Sequence, residues 1–140
     1  MAKATYDDVN LILRLYDMRR EEKLRAARAW FVTNFKPKNM EDVNKLAAPG
    51  SDANAQFRQA VSYWDMVASF ITAGVLNEEL FFQSHRELLL FWMRMKPIAN
   101  EARAAFKDSN AWKNLETVAD AYAKYLGPEV YEAFAARVAG

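Results

Sequence analysis

His85 is the only histidine in the chain, and the sequence holds no cysteine. Thiolate nucleophiles, disulfides and cysteine metal sites are therefore absent, and carboxylates remain harder to exclude. Helical di-iron sites need Glu-x-x-His on two helices together with further glutamates. The position three before His85 is Phe82, so that motif is missing here. No serine elbow and no glycine-rich phosphate loop occurs, and neither a metal nor a cofactor is expected. A histidine beside Phe81, Leu88 and Trp92 on a helical wheel has the makings of a general base or a pH switch. More simply, it is a half-buried ring satisfied by a neighbour. Asp65, Glu87, Glu101 and Asp120 all fall in helical stretches, where they read as surface charges or as partners for arginines.

Two groupings of side chains remain as candidate sites. Tyr63, Trp64, Phe81, His85 and Trp92 would line an aromatic pocket between helices, fit for a small molecule. Arg28, Arg94 and Arg103 stand among apolar or small neighbours, and Asp65 follows Trp64. An arginine buried in a helical core is expected to pair with a carboxylate, either to fix helix register or to hold an anionic ligand.

From Arg14 to Lys38 there are eight basic residues against three acidic ones, yet the whole chain carries only +1. Nucleic-acid binders show a clear basic excess, so nucleic acid is not the expected partner. The segment reads instead as a solvated helix face, with Trp30 in the core.

The elements that would position these residues are helical. Phe57, Ala60, Val61, Trp64, Val67, Ala68 and Ile71 recur at the period of one helix face. The next segment, from Leu80 to Met95, is apolar nearly all round, as in a buried helix. Together they predict a central apolar hairpin over Phe57–Met95, turning at Ala73–Glu79. Gly74 suits the left-handed end of the first helix, and Asn77 the cap of the second. Pro97 is expected to kink or split the helix that contains it.

Earlier, Thr5 with Asp7 and Asp8 starts a helix whose buried face is read as Val9, Leu13 and Tyr16, with Ile12 alongside. A short turn at Asp17–Arg20 leads to a helix bearing Leu24, Ala27, Trp30, Phe31 and Phe35. Met40–Leu46 forms a short helix. Asp108–Asn110 caps a helix carrying Trp112 to Leu126. Gly127-Pro128 opens the last, with Val130, Phe134 and Val138 inward. The expected fold is all-α, a single domain over residues 1–140 with about six or seven helices.

The motifs Ala26-Ala27-Arg28-Ala29-Trp30, Ile71-Thr72-Ala73-Gly74-Val75-Leu76, and Trp92 followed by Lys96-Pro97-Ile98 resemble a family of uncharacterised bacterial helical proteins, a domain of unknown function. The likeness covers roughly Tyr6 to Phe106. It implies an all-helical fold and assigns no activity and no functional residues.

At 140 residues, 52% of them hydrophobic and 14% aromatic, the chain is long enough to bury a real core. Met1–Asn10 lacks the apolar stretch of a leader, and no apolar run approaches a bilayer span, so a cytoplasmic protein is expected. Tyr63, Met66 and Phe70 on one helix, with Phe82, Leu89 and Met93 on the next, exceed what one helix pair consumes. That surplus predicts an interaction module working through a protein partner or self-association as a twofold dimer. A small-molecule-binding domain is the alternative.

Overall fold

A computed structural model describes residues 3–140. Met1 and Ala2, the start of the stretch read above for a leader, lie outside it. Among the described residues there are eight helices and no strand: α1 (Tyr6–Arg19), α2 (Glu22–Asn34), α3 (Met40–Leu46), α4 (Asp52–Thr72), α5 (Glu78–Phe82), α6 (Arg86–Phe106), α7 (Lys113–Leu126) and α8 (Pro128–Ala139). The all-α expectation holds, with one helix more than the upper end of its range. The extra element arises because the second apolar segment is interrupted at Gln83–His85, which separates the five-residue α5 from α6.

The helix ends follow local chemistry. Thr5 and Asp8 form a capping box, with the Asp8 carboxylate 2.7 Å from the Thr5 amide. Asn39, Ser51 and Asn77 each accept a first-turn N–H, satisfying donors that have no partner within the helix. Gly74, at φ 79°, turns the chain so that the N–H groups of Val75 and Leu76 both reach the Phe70 carbonyl. The chain turns between α1 and α2 at Arg20-Glu21, at the end of the Asp17–Arg20 stretch, whose first three residues stay helical.

Three expectations are corrected. Helix α6 runs through Pro97 without splitting. Pro97 itself is exposed, while Met95, Ile98, Ala99 and Ala102 around it are buried, so tertiary packing holds both halves against the lost hydrogen bond. The central hairpin is not formed as a pair: α4 packs chiefly on α2 and α7, and α6 on α7 and α8. Four stacked phenylalanines explain part of this arrangement. Phe91 of α6 lies on Phe31 of α2 with centroids 3.9 Å apart, Phe31 on Phe35 at 4.6 Å, and Phe35 on Phe57 of α4 at 4.7 Å. The rings of Phe31 and Phe35, at the end of α2, thus fill part of the space between α4 and α6, which meet directly where Trp64 approaches Phe91 and Glu87.

The third correction concerns α1, which is turned the other way round. Val9, Leu13 and Tyr16 are 41, 56 and 42% exposed, whereas Asp8 and Leu15 are buried. Residues seven apart share a helix face, and Asp8 is tied inward because its second carboxylate oxygen accepts the Asn77 N–H at 2.8 Å. On α8, likewise, Val138 is buried, Phe134 is partly buried and Val130 faces out.

Candidate functional site

The aromatic residues singled out above lie in the interior. Tyr63, Trp64, Phe81 and His85 meet directly: Trp64 contacts the other three edge-on, and Phe81 stacks on His85 with centroids 4.3 Å apart. Trp92 is not part of this group and lies instead under the Arg103 guanidinium. The polar tips of Tyr63 and Trp64 are both used. The Tyr63 hydroxyl donates to the Leu15 carbonyl at 2.7 Å, and burial pushes its pKa up to about 12. The Trp64 indole N–H donates to Glu87 at 3.0 Å.

Glu87 also takes both arms of Arg28, at 2.6 and 3.0 Å, a two-point charge-assisted pair. The remaining Arg28 nitrogen donates to the Arg19 carbonyl at the end of α1. This cluster joins α1, α2, α4 and α6. Glu87 stands in the first turn of its helix, where the dipole favours a negative charge. Its carboxylate is visible in the sequence, but its partners lie 59 and 23 residues away, a distance that no helical spacing encodes.

The other buried polar candidates diverge from the expected arginine–carboxylate pairing. Arg94 donates to the carbonyls of Val32, Phe35 and Val138 at 2.9–3.1 Å. These oxygens belong to the C-terminal ends of α2 and α8, which are left without intrahelical donors and carry partial negative charge. Three carbonyls therefore replace the carboxylate, although burial still lowers the Arg94 pKa. Arg103 does meet an acid, Glu116 at 3.0 Å, and it donates to the Ala111 carbonyl at 2.8 Å. Asp65 pairs with no arginine. It accepts the Leu115 N–H at 3.0 Å and so caps α7, whose own N-cap residue, Trp112, offers no side-chain bond. Burial raises the Asp65 pKa.

Of the five pocket candidates, His85 borders an open space. A hollow of about 290 Å³ between α1 and the α5–α6 junction is lined by Ile12, Leu13, Tyr16, Arg19, Ser84 and His85. The imidazole is 4% exposed, and burial lowers its pKa, so the neutral ring is favoured. Its Nδ1 lies 3.1 Å from the Phe81 carbonyl and 3.0 Å from the Ser84 hydroxyl. A carbonyl only accepts, so in the neutral ring Nδ1 carries the proton and Nε2 the lone pair. An Nδ1 committed in this way cannot take the Ser84 proton, and the two do not form a nucleophile–base dyad. Nε2 makes no hydrogen bond among the described residues.

Beside the hollow runs the outward stripe of α1: Tyr6, 78% exposed, then Val9, Leu13 and Tyr16. The intervals of three, four and three residues are those of a coiled-coil seam. Arg19 and Arg20 both lie over the Tyr16 ring, at 4.9 and 5.4 Å. The spacing is legible in the sequence, where it reads as inward, and nothing there singles out Tyr6, Arg19 or Ser84. The basic segment is divided by the fold, since Arg28 is committed to Glu87 and Lys36 to the Gly140 carbonyl.

These features define an all-helical protein whose helices are tied by buried polar clasps and whose first helix shows an apolar seam to the outside. Among the described residues, no three His, Cys, Asp or Glu side chains converge as a metal site, and no helix is long and apolar enough to cross a membrane. The chain belongs to the DUF4760 family, a domain of unknown function, whose model matches residues 4–122. No curated protein and no solved structure shows a significant match.

Proposed function

We propose that this protein is a non-enzymatic interaction module that pairs with a second copy of itself along α1. The observation that carries this reading is the seam Tyr6, Val9, Leu13 and Tyr16, left in solvent at coiled-coil spacing on a well-capped helix. Fully burying an exposed aliphatic side chain is worth about 1.5–3 kcal/mol; Val9, Leu13 and Tyr16 are about half exposed, so each offers a fraction of that, and together with Tyr6 they favour association. The surplus apolar residues that first suggested a dimer do not carry it. Tyr63, Phe82 and Leu89 are buried by the chain's own helices, and Met66, Phe70 and Met93 pack against the same core.

Charge supports a second copy as the occupant. Asp7 stands exposed at the start of α1, Asp8 being turned inward, while Arg14, Arg19 and Arg20 stand toward its end against Asp17 alone. An antiparallel, twofold pairing sets the acidic half of one helix against the basic half of the other and opposes the two helix dipoles. A parallel pairing would set like against like. The seam spans only about 15 Å, short of a standard-sized interface, so the dimer is reversible and its population depends on concentration. Leu13→Asp places a charge in the middle of the seam on an exposed position. The expected outcome is a chain that keeps its helical circular dichroism and stays monomeric at concentrations where the unaltered chain dimerises. Dimers persisting in Leu13→Asp would refute the seam.

A further inference from the structure

The hollow at His85 remains unexplained by a seam alone. Its lining joins the apolar side chains of Ile12, Leu13 and Tyr16 of α1 to Arg19, Ser84 and the buried His85, whose Nε2 makes no hydrogen bond among the described residues. We propose that this hollow is the receptor for the Tyr6 ring of a second copy of the chain, whose phenol O–H donates to His85 Nε2. The proposal rests on the self-pairing reading above and gives it a lock.

Three observations bring the two together. The first is register. An antiparallel pairing centred between Val9 and Leu13 sets Tyr6 of one copy opposite Tyr16 of the other, and Tyr16 lines the hollow. In the same register Asp7 falls opposite Leu15, one residue from Arg14, while the parallel alternative opposes Asp7 to Asp7 and Arg14 to Arg14.

The second is shape and readiness. Tyr6 is the most exposed of the large apolar side chains, and it sits on the first residue of a helix fixed by the Thr5–Asp8 capping box. Little freedom is left in its backbone to lose on binding. A hollow of about 290 Å³, against about 30 Å³ for one water in the liquid, has room for a phenol ring.

The third is chemical fit. The neutral imidazole offers an acceptor that needs a donor, and a phenol supplies one at the end of an apolar body. Arg19 at the rim adds a cation able to face the incoming ring. Twofold symmetry repeats the contact, so each copy gives one tyrosine and receives one.

Because the chain has no cysteine, engineered disulfides report the register cleanly. Equal amounts of a Tyr6→Cys chain and a Ser84→Cys chain are mixed and oxidised; both positions are exposed. The expected result is a mixed, disulfide-linked dimer as the major product, with little Tyr6→Cys self-linkage, because those positions lie about 15 Å apart in the antiparallel register. Tyr6→Phe, which removes only the hydroxyl, should weaken self-association about three- to tenfold. Predominant Tyr6→Cys self-linkage, absence of the mixed product, or unchanged affinity in Tyr6→Phe, in each case with the unaltered chain still dimeric, would overturn the lock and leave the seam standing. An unaltered chain that is monomeric at every concentration would overturn the self-pairing, and the lock with it.

Discussion

Helices α1 and α6 invert the usual relation between sequence polarity and burial, in opposite directions. Helix α1 buries an aspartate and shows two tyrosines, a valine and a leucine to solvent, while α6 buries two arginines among apolar side chains. On α6 every inward charge is met: Arg94 by three carbonyls, Arg103 by Glu116 and a carbonyl. On α1 the inward charge is met just as fully, by the Thr5 and Asn77 amides, but the outward apolar face has no counterpart in the chain. The inward charges of Asp8, Arg94 and Arg103 thus find partners within one molecule, although Arg86 Nε and Arg103 Nη2 make no hydrogen bond there, and the exposed apolar seam is the feature on which the proposed pairing rests.

The sharpest way to break this contrast is to leave one inner charge unmet. Arg28→Met removes both arms from Glu87 and the bond to the Arg19 carbonyl. It should cost about 2–3 kcal/mol in urea unfolding, below the range for a fully buried pair because both side chains keep some exposure. A loss under about 0.5 kcal/mol would show that the clasp is a surface pair of ordinary weakness.

Asp8→Ala tests what turns α1 over. The substitution removes the acceptor of the Thr5 N–H in the capping box, and the tie to Asn77 goes with it. The expected outcome is a lower thermal midpoint together with faster amide exchange at Asn77. Exchange unchanged at Asn77 would separate the orientation of α1 from this carboxylate.

The smallest effect concerns pH. The folded His85 has a pKa below its ordinary value of about 6.5, so the unfolded chain takes up its proton first. Stability contributed by the neutral ring is present above pH 6.5, falls as pH drops toward the folded pKa, and then levels. Asp8, whose carboxylate is held below its usual range by the Thr5 and Asn77 amides, stabilises above about pH 4 and is lost only in stronger acid. Replacing His85 with Gln should flatten the first decline in urea titrations and leave the second. A first decline that survives the substitution would place it on another group.

Much of this architecture is legible in the chain itself, because helix ends are set by neighbours in sequence. Thr5, Asn77 and Gly74 act over three or four residues, and the Gly127-Pro128 step ends one helix and begins the next. The apolar face of α4 is equally local, and every residue of its period is buried. What fails is whatever depends on distant partners. Which face of α1 turns inward is tied to an amide 69 residues away, and the expected carboxylate for Arg94 is replaced by carbonyls up to 62 residues away. Asp65 could not be recognised as the cap of α7 without knowing that α4 and α7 adjoin. The α1 stripe on which the proposed pairing rests is visible at its true spacing. Periodicity alone cannot say which of two faces meets the core, and a buried aspartate decides against the apolar one.

Sedimentation equilibrium of the unaltered chain, run from low to high micromolar concentration beside Leu13→Asp, tests the central claim most directly. The account predicts a weight-average mass rising from one chain toward two for the unaltered protein and remaining at one for the variant. A single-chain mass for both at every concentration would contradict it.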